Sequence, residues 1–365
     1  MAEIRIQNLH KRFDDFVAVR DSTLTVENGE FFVMLGPSGC GKTTTLRMVA
    51  GLELPTTGEI YLDGEDVTGL KASQRDIAFV FQLFALYPHK NVRKNISFPL
   101  ENQGVPRAQI RERVEEVARM LRIDHLLNKA VSGLAGGDRQ RVALGRAIVR
   151  RPKAFLMDEP LGTLDAEFRE LMCEELRLLH DRIGATTVYV THDQIEAMSM
   201  ADKIAVMNAG VIEQYGSPTE IYHRPRSRFV AGFVGSPAMN FLSAYGPCQP
   251  GDQTVSVDGT VVGMPRLLVG LDAEGATLGA RPEHISLSDS GTLRGTVFEV
   301  EYMGARQIVT VDTSAGRLRA RTTNTQRAVR GETVGLEFRS EALVLFDDAT
   351  GTAVDSVLFE GDRHG

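Results

Sequence analysis

Apolar and polar positions fall into two textures along this chain. In the first, short apolar runs alternate with stretches of helical period. Ile4–Leu9 alternates as a half-buried strand does, and Phe31–Leu35 is the unbroken apolar run of a strand covered on both faces. A glycine-rich turn follows, and Lys42–Ala50 predicts a helix closed by Gly51. Ile77–Phe81 is another short run, and Pro106–Leu127 is a long amphipathic helical pattern rich in Arg and Glu. Ala154–Met157 predicts a buried strand, Glu167–Ile183 a helix stopped by Gly184, Thr187–Val190 a strand and Gln194–Ala201 a helix. Ile204–Met207 and Val211–Gln214 flank Asn208-Ala209-Gly210 as a hairpin. The alternation predicts a doubly wound α/β domain carrying a helical insertion near residues 90–150.

Beyond Ser236 the texture changes to short strands punctuated by Gly, Asp and Thr. Gln253–Val257, Leu278–Ala280, Gly295–Tyr302, Gln307–Val311, Arg317–Arg321 and Thr333–Phe338 predict a small β-barrel or sandwich. Between the textures, Phe229–Gly251 carries no charge, yet Gly232, Gly235, Pro237, Gly246, Pro247 and Pro250 interrupt it. A membrane-spanning helix needs about 20 mostly apolar residues. The run therefore predicts a crossing between two domains, residues 1–235 and 236–365.

Composition agrees with that division. At 365 residues the chain exceeds one ordinary core, and 42% hydrophobic with 24% charged residues is the balance of a soluble globular protein. A net charge of -7 provides no global basic field, which argues against nucleic acid as a partner. Residues 236–365 hold 11 Arg, no Lys and 17 acidic side chains, whereas the first 235 are nearly neutral. Cys40, Cys173 and Cys248 stand at unrelated spacings, neither a disulfide framework nor a zinc site, and read as reduced thiols of a cytosolic protein. The start, Met1-Ala2-Glu3-Ile4-Arg5, lacks an apolar signal core.

Gly36-Pro37-Ser38-Gly39-Cys40-Gly41-Lys42-Thr43, followed by Thr44, fits the phosphate-binding P-loop, after a predicted strand and opening a predicted helix. Glycines let successive backbone N–H groups curl round phosphate oxygens. Lys42 supplies a point charge for the β- and γ-phosphates, Thr43 a hydroxyl for Mg²⁺, and the helix N-terminus a favourable field. Phe155-Leu156-Met157-Asp158-Glu159 is an apolar strand ending in two carboxylates, which places Asp158 beside the metal and leaves Glu159 to polarise a water. Gln82 follows the Ile77–Phe81 strand, within reach of Mg²⁺ and the attacking water, and His192 closes the Thr187–Thr191 strand near the γ-phosphate.

In this order the residues resemble the ATP-binding-cassette ATPases over roughly residues 3–235. The P-loop is Gly36–Thr43, the Q-loop Gln82, the signature region Leu134–Gln140, Walker B Phe155–Glu159, the D-loop ends at Asp165, and the H-loop is His192. The resemblance implies that Phe13 stacks on adenine with Val19 beneath it; an ordinary core Phe is the plain alternative. It also implies two such subunits sandwiching two ATP molecules, each held by one P-loop and the other subunit's signature. Two transmembrane permease subunits and a solute-binding protein outside the membrane complete the assembly, with this chain at its cytoplasmic face.

Two segments depart from the family pattern. The signature, usually Leu-Ser-Gly-Gly-Gln, is here Leu134-Ala135-Gly136-Gly137-Asp138. Ala135 cannot supply the serine hydroxyl, a loss of roughly 1.5–3 kcal/mol for a bond to a charged group. Asp138 places an anion near a polyanion, a repulsion approaching ~3 kcal/mol at about 6 Å and an effective dielectric near 20. The D-loop reads Gly162-Thr163-Leu164-Asp165 where Ser-Asn-Leu-Asp is usual. Either the site tolerates these changes, Asp138 merely favouring its own helix N-terminus, or the chain pairs with a paralogue whose intact signature completes its site.

Ala85-Leu86-Tyr87-Pro88-His89, Gly235-Ser236-Pro237-Ala238-Met239-Asn240-Phe241 and Arg281-Pro282-Glu283-His284 resemble the ATPase subunits of carbohydrate importers of the maltose-transporter type. That likeness implies a C-terminal small barrel of OB or TOBE type with a regulatory or dimerising role, and sugar, polyol or glycerol-type import. Leu83–Pro88 would then receive a helix of the permeases, its plain alternative being an apolar loop packed on the insertion. Polyamine, iron or sulfate import is the alternative substrate class, and a regulatory ATP-binding subunit with little hydrolysis the alternative activity. Intact Glu159 and His192 oppose the latter.

Overall fold

A computed structural model describes residues 2–82, 85–245, 247–271 and 275–360. In chain order the first unit contains β1 Ile4–Phe13, β2 Phe16–Val26, β3 Phe31–Leu35, α1 Lys42–Val49, β4 Thr57–Leu62, β5 Glu65–Asp66 and β6 Ile77–Val80. Three helices follow, α2 Val92–Asn102, α3 Arg107–Met120 and α4 Gly136–Ile148. Then come β7 Ala154–Asp158, α5 Ala166–Ile183, β8 Thr186–Thr191, α6 Gln194–Met200, β9 Lys203–Asn208 and β10 Val211–Gly216.

The central sheet has the order β10-β9-β3-β8-β7-β6, parallel except for β10, with an antiparallel sheet β2-β1-β4-β5 beside it. Both faces of the parallel strands are covered, which is why Phe31–Leu35 and Thr186–Thr191 are buried at every position. Their carboxyl ends all point to one edge, where loops collect as they do in open α/β sheets. The predicted helix Pro106–Leu127 is shorter: α3 stops at Met120 because Arg122 takes φ 59°, a left-handed conformation that ends a helical run. Gly184, with φ 69°, closes α5 as expected.

Two compact units divide between Pro218 and Thr219, earlier than the junction expected after residue 235. The reason is local. Arg228 N donates to Gly351 O, Ala353 N to Arg226 O, and the Arg281 guanidinium to the carbonyls of Tyr222 and Val234, so the segment 219–235 belongs with the later strands. This unit carries α7 Pro218–His223 (from its second residue), α8 Arg228–Phe233, β11 Asn240–Ala244, β12 Thr254–Val257, β13 Thr260–Gly263, β14 Ala276–Ala280 and β15 Ile285–Ser288. It continues through β16 Leu293–Met303, β17 Arg306–Thr313, β18 Gly316–Thr323, β19 Thr333–Phe338 and β20 Val344–Asp347. The sheets β15-β19-β16-β17-β18 and β11-β14-β20 are antiparallel and share one core with the β12–β13 hairpin through Val257, Leu278, Val309 and Leu336. Among the described residues no helix is long and apolar enough to cross a membrane.

Candidate functional site

The site begins where β3 ends. Gly36 has no room for a side chain, since a Cβ there would lie 2.3 Å from Met207 O, and Gly41 turns the chain at φ 105°, where a Cβ would lie 2.4 Å from Ala18 O. Residues on β2 and β9 therefore press the loop from two sides. The turn between β9 and β10 adds direct bonds: Gly210 N donates to Cys40 O at 3.0 Å, and Gly210 O accepts from Arg20 N at 2.8 Å. Sequence reasoning placed the hairpin but missed this brace.

Within the loop Ser38 and Gly39 are exposed, Cys40 and Gly41 buried, and Thr43 and Thr44 half-buried. Lys42 is almost fully buried, its ammonium donating to Gly36 O at 2.8 Å and Pro37 O at 2.9 Å. Those carbonyls stiffen the ring of the loop around a fixed positive charge. Neither an acidic residue in the first turn nor a side-chain cap offsets the N-terminal field of α1.

Thr43 Oγ1 donates to Asp158 Oδ1 at 2.9 Å, so the hydroxyl and the carboxylate meet at the carboxyl edge of β3 and β7. Burial pushes the Asp158 carboxyl above its usual range, against the Thr43 bond, which lowers it. A hard oxygen set of Thr43, Asp158 and Gln82 suits Mg²⁺. Glu159 adopts φ 42°, uncommon for a residue with a Cβ, and its N–H donates to Val190 O at 3.0 Å. Gln82 Nε2 donates to Glu159 Oε2 at 3.2 Å, and His192 Nδ1 stands 3.2 Å from Glu159 Oε1. The structure thus brings together five of the expected residues, Thr43, Asp158, Gln82, Glu159 and His192, from three strand ends and the head of α1.

Phe13 lies at the tip of the β1–β2 hairpin opposite Phe16, 42% and 61% exposed, so neither is a core residue. Lys11 Nζ sits 4.6 Å from the centre of the Phe13 ring. Val19, expected beneath a stacked base, is fully buried against Gly41, where it supports the loop.

The altered signature forms the head of α4. Ala135 is its N-cap residue and makes no side-chain cap bond, as a methyl group must not. Gly137 packs on Phe168 so closely that a Cβ would fall 2.0 Å from the ring, and Gly136 faces Leu164. Asp165 caps α5 by accepting from Phe168 N at 2.9 Å. Signature and D-loop are therefore neighbours in one chain. Arg146, also on α4 and partly buried, donates to Ala85 O at 2.7 Å in the segment after Gln82, a link no motif announced. Of the expected permease-facing loop, Leu83 and Phe84 lie outside the described residues. Tyr87 packs on Phe98 with ring centres 4.6 Å apart, and fully buried Asn95 accepts from Tyr87 N at 2.8 Å, so this part of the loop is braced on the insertion.

A sequence model of the ABC transporter family matches residues 19–162, and one of the TOBE domain matches residues 278–346. The chain is 46% identical to an sn-glycerol-3-phosphate import ATP-binding protein of Salmonella choleraesuis, across 97% of this chain and 100% of the relative. It is 44% identical to a trehalose/maltose import ATP-binding protein of Thermococcus litoralis, with the same coverage of both chains. It is 46% identical to a xylose/arabinose import ATP-binding protein of Haloferax volcanii, across 97% and 96%. Among solved structures, cbiO1 from Clostridium perfringens, part of the ABC transporter complex cbiONQ, superposes with a TM-score of 0.57 at 27% identity, covering 60% of this chain and 89% of that one.

Proposed function

The chain belongs to the ATP-binding-cassette transporter family as an ATP-hydrolysing import subunit, and from that premise we propose that it energises uptake of a sugar, polyol or glycerol-type solute. The observation that carries the chemistry is the meeting of Thr43–Asp158 with Gln82–Glu159–His192 at the head of α1. Gly36, Ser38, Gly39, Cys40, Gly41, Lys42, Thr43 and Thr44 bind the phosphates, and Phe13 stacks on the base. Thr43, Asp158 and Gln82 hold Mg²⁺, which when bound neutralises charge on the phosphate oxygens. Glu159 orients the attacking water and accepts its proton. His192 and Gln82 fix the two carboxylate oxygens, and Lys42 stabilises charge growing on the β–γ bridge.

Ala135, Gly136, Gly137, Asp138 and Asp165 serve the nucleotide of a second ATPase subunit. With the serine hydroxyl gone, a paralogue carrying an intact signature is the partner that completes this chain's site. Two permeases receive the motion at the segment around Tyr87, at the cytoplasmic face of the membrane, and a binding protein delivers the solute. The C-terminal unit is the regulatory or dimerising part. The relatives' names do not favour polyamine, iron or sulfate import.

Reconstitution with a pair of permeases and a binding protein of this importer class tests the reading. Glu159→Gln should retain ATP, abolish turnover and stall solute uptake. Uptake that continues at the wild-type rate with this variant would reduce the chain to a scaffold.

A further inference from the structure

The edge of the central sheet opposite the P-loop carries a second concavity. A cleft of about 370 Å³ opens between α3, the segment after α4 and the end of α5. Val117, Ile148 and Ile183 lie in its apolar floor, and Arg113, Glu116, Arg151 and Arg182 form its rim. Arg151 faces Glu116 at 3.4 Å. The guanidinium groups of Arg113 and Arg182 have no hydrogen bond or ion pair among the described residues. Arginines near helix ends are ordinary taken singly, since they offset the C-terminal helix field. Here they come from three different elements and converge over one concave apolar surface, the arrangement of a ligand pocket, whose usual volume is about 300–1,000 Å³.

We propose that this cleft binds a small amphipathic anion, one carboxylate, sulfonate or phosphate on a compact apolar body, and that its occupancy governs the position of α4. A bare inorganic anion would leave the floor wet, and a neutral hydrocarbon would leave two cations without a partner. An amphipathic anion satisfies both. Ile148 is the last residue of α4 and Gly136 the first, so 13 residues, about 20 Å of helix, join the cleft to the signature. Two residues before Ile148, Arg146 holds Ala85 O in the segment after Gln82. A ligand bridging Arg113 on α3 and Arg182 on α5 clamps the helical insertion to the sheet, and with it both segments that α4 carries. The effect on turnover rests on the function proposed above, whereas the binding does not.

The full-length chain is titrated with 8-anilinonaphthalene-1-sulfonate, an amphipathic aromatic sulfonate that fluoresces in apolar surroundings, with Mg-ATP at saturation to occupy the nucleotide site. Saturable binding is expected, competed by octanoate and not by equal inorganic phosphate. It should weaken at least about tenfold in Arg113→Gln/Arg182→Gln, which loses both charge-assisted contacts. An unchanged urea midpoint for that variant excludes misfolding as the cause. Binding that survives the double substitution, vanishes with ATP or yields equally to phosphate overturns the site. Octanoate should also change the ATPase rate of the wild type and leave the double variant unaffected. Intact binding with an unmoved rate overturns the control of α4 while leaving the catalytic reading standing.

Discussion

Asp138 and Arg141 form an ion pair across one turn of α4, 3.6 Å from carboxylate to guanidinium. Arg141 also donates three hydrogen bonds to Glu175, the shortest at 3.0 Å. The substituted signature residue is thus turned into its own chain's charge network, which lessens its repulsion of a facing nucleotide. The missing cap at Ala135 is not offset in the same way.

Ala135→Ser should add a hydroxyl at an N-cap position that lacks one, stabilising α4 by about 1 kcal/mol. Combined with Asp138→Gln it should raise the ATPase rate of the chain purified alone by about 10- to 100-fold. The unaltered chain should gain similarly when mixed with a paralogue carrying an intact signature. Full activity of the unaltered chain as a homodimer, unmoved by the double substitution, removes the case for an unequal pair.

Burial opposes a charge on Asp158 and raises its carboxyl in the folded state, while the Thr43 hydroxyl bond lowers it. A raised acid binds protons more readily folded than unfolded, so its ionisation costs stability at neutral pH, and the cost fades as pH falls through the raised value. Asp158→Asn should therefore raise the melting temperature of the nucleotide-free protein at pH 7 while weakening Mg²⁺ binding and abolishing turnover. Calorimetry with and without Mg-ATP separates the two effects. A melting temperature that falls would show that the Thr43 bond outweighs desolvation.

In the C-terminal unit Arg281 is 1% exposed, stacks 3.8 Å from the Tyr222 ring centre and donates to Tyr222 O and Val234 O. Arg281→Ala leaves both carbonyls without that donor and should cost about 3 kcal/mol or more. Arg281→Lys should recover only part, since an ammonium cannot reproduce the planar fork. Hydrogen exchange across residues 219–235 and 276–288 should accelerate in the first variant and much less in the second.

His223 and His284 stack with ring centres 6.4 Å apart, and burial lowers both from the ordinary 6.5. Each is favoured neutral in the fold, so their stabilisation is complete above about pH 6.5 and declines as pH falls toward the lowered values. Unfolding by urea at pH 7.5 and pH 5.5 should show a drop in stability that His223→Gln/His284→Gln flattens. An equal drop in the double variant would place the acid sensitivity elsewhere.

The parallel strands were legible because burial on both faces leaves an unbroken apolar run, as in Phe31–Leu35 and Ala154–Met157. β2 was not, since Arg20 and Asp21 interrupt its alternation on an exposed stretch. α2 was hidden by Pro99 inside it. In the site, Thr43, Gln82, Asp158, Glu159 and His192, each readable from its neighbours in sequence, lie together. The long-range backbone contacts, Gly210 to Cys40 and Arg146 to Ala85, leave no local pattern and could not be read from the sequence.

The brace at Gly210 also sets a schedule for synthesis. Among the described residues β3 pairs only with β8 and β9, and the P-loop leans on Met207 and Gly210. A ribosome that has released the whole motif through Thr43 has made no nucleotide cradle. That structure closes only after the chain has emerged through Gly216, a high contact order that makes folding slow and leaves the nascent sheet exposed. Chains truncated before the last hairpin should carry the complete motif and bind no ATP.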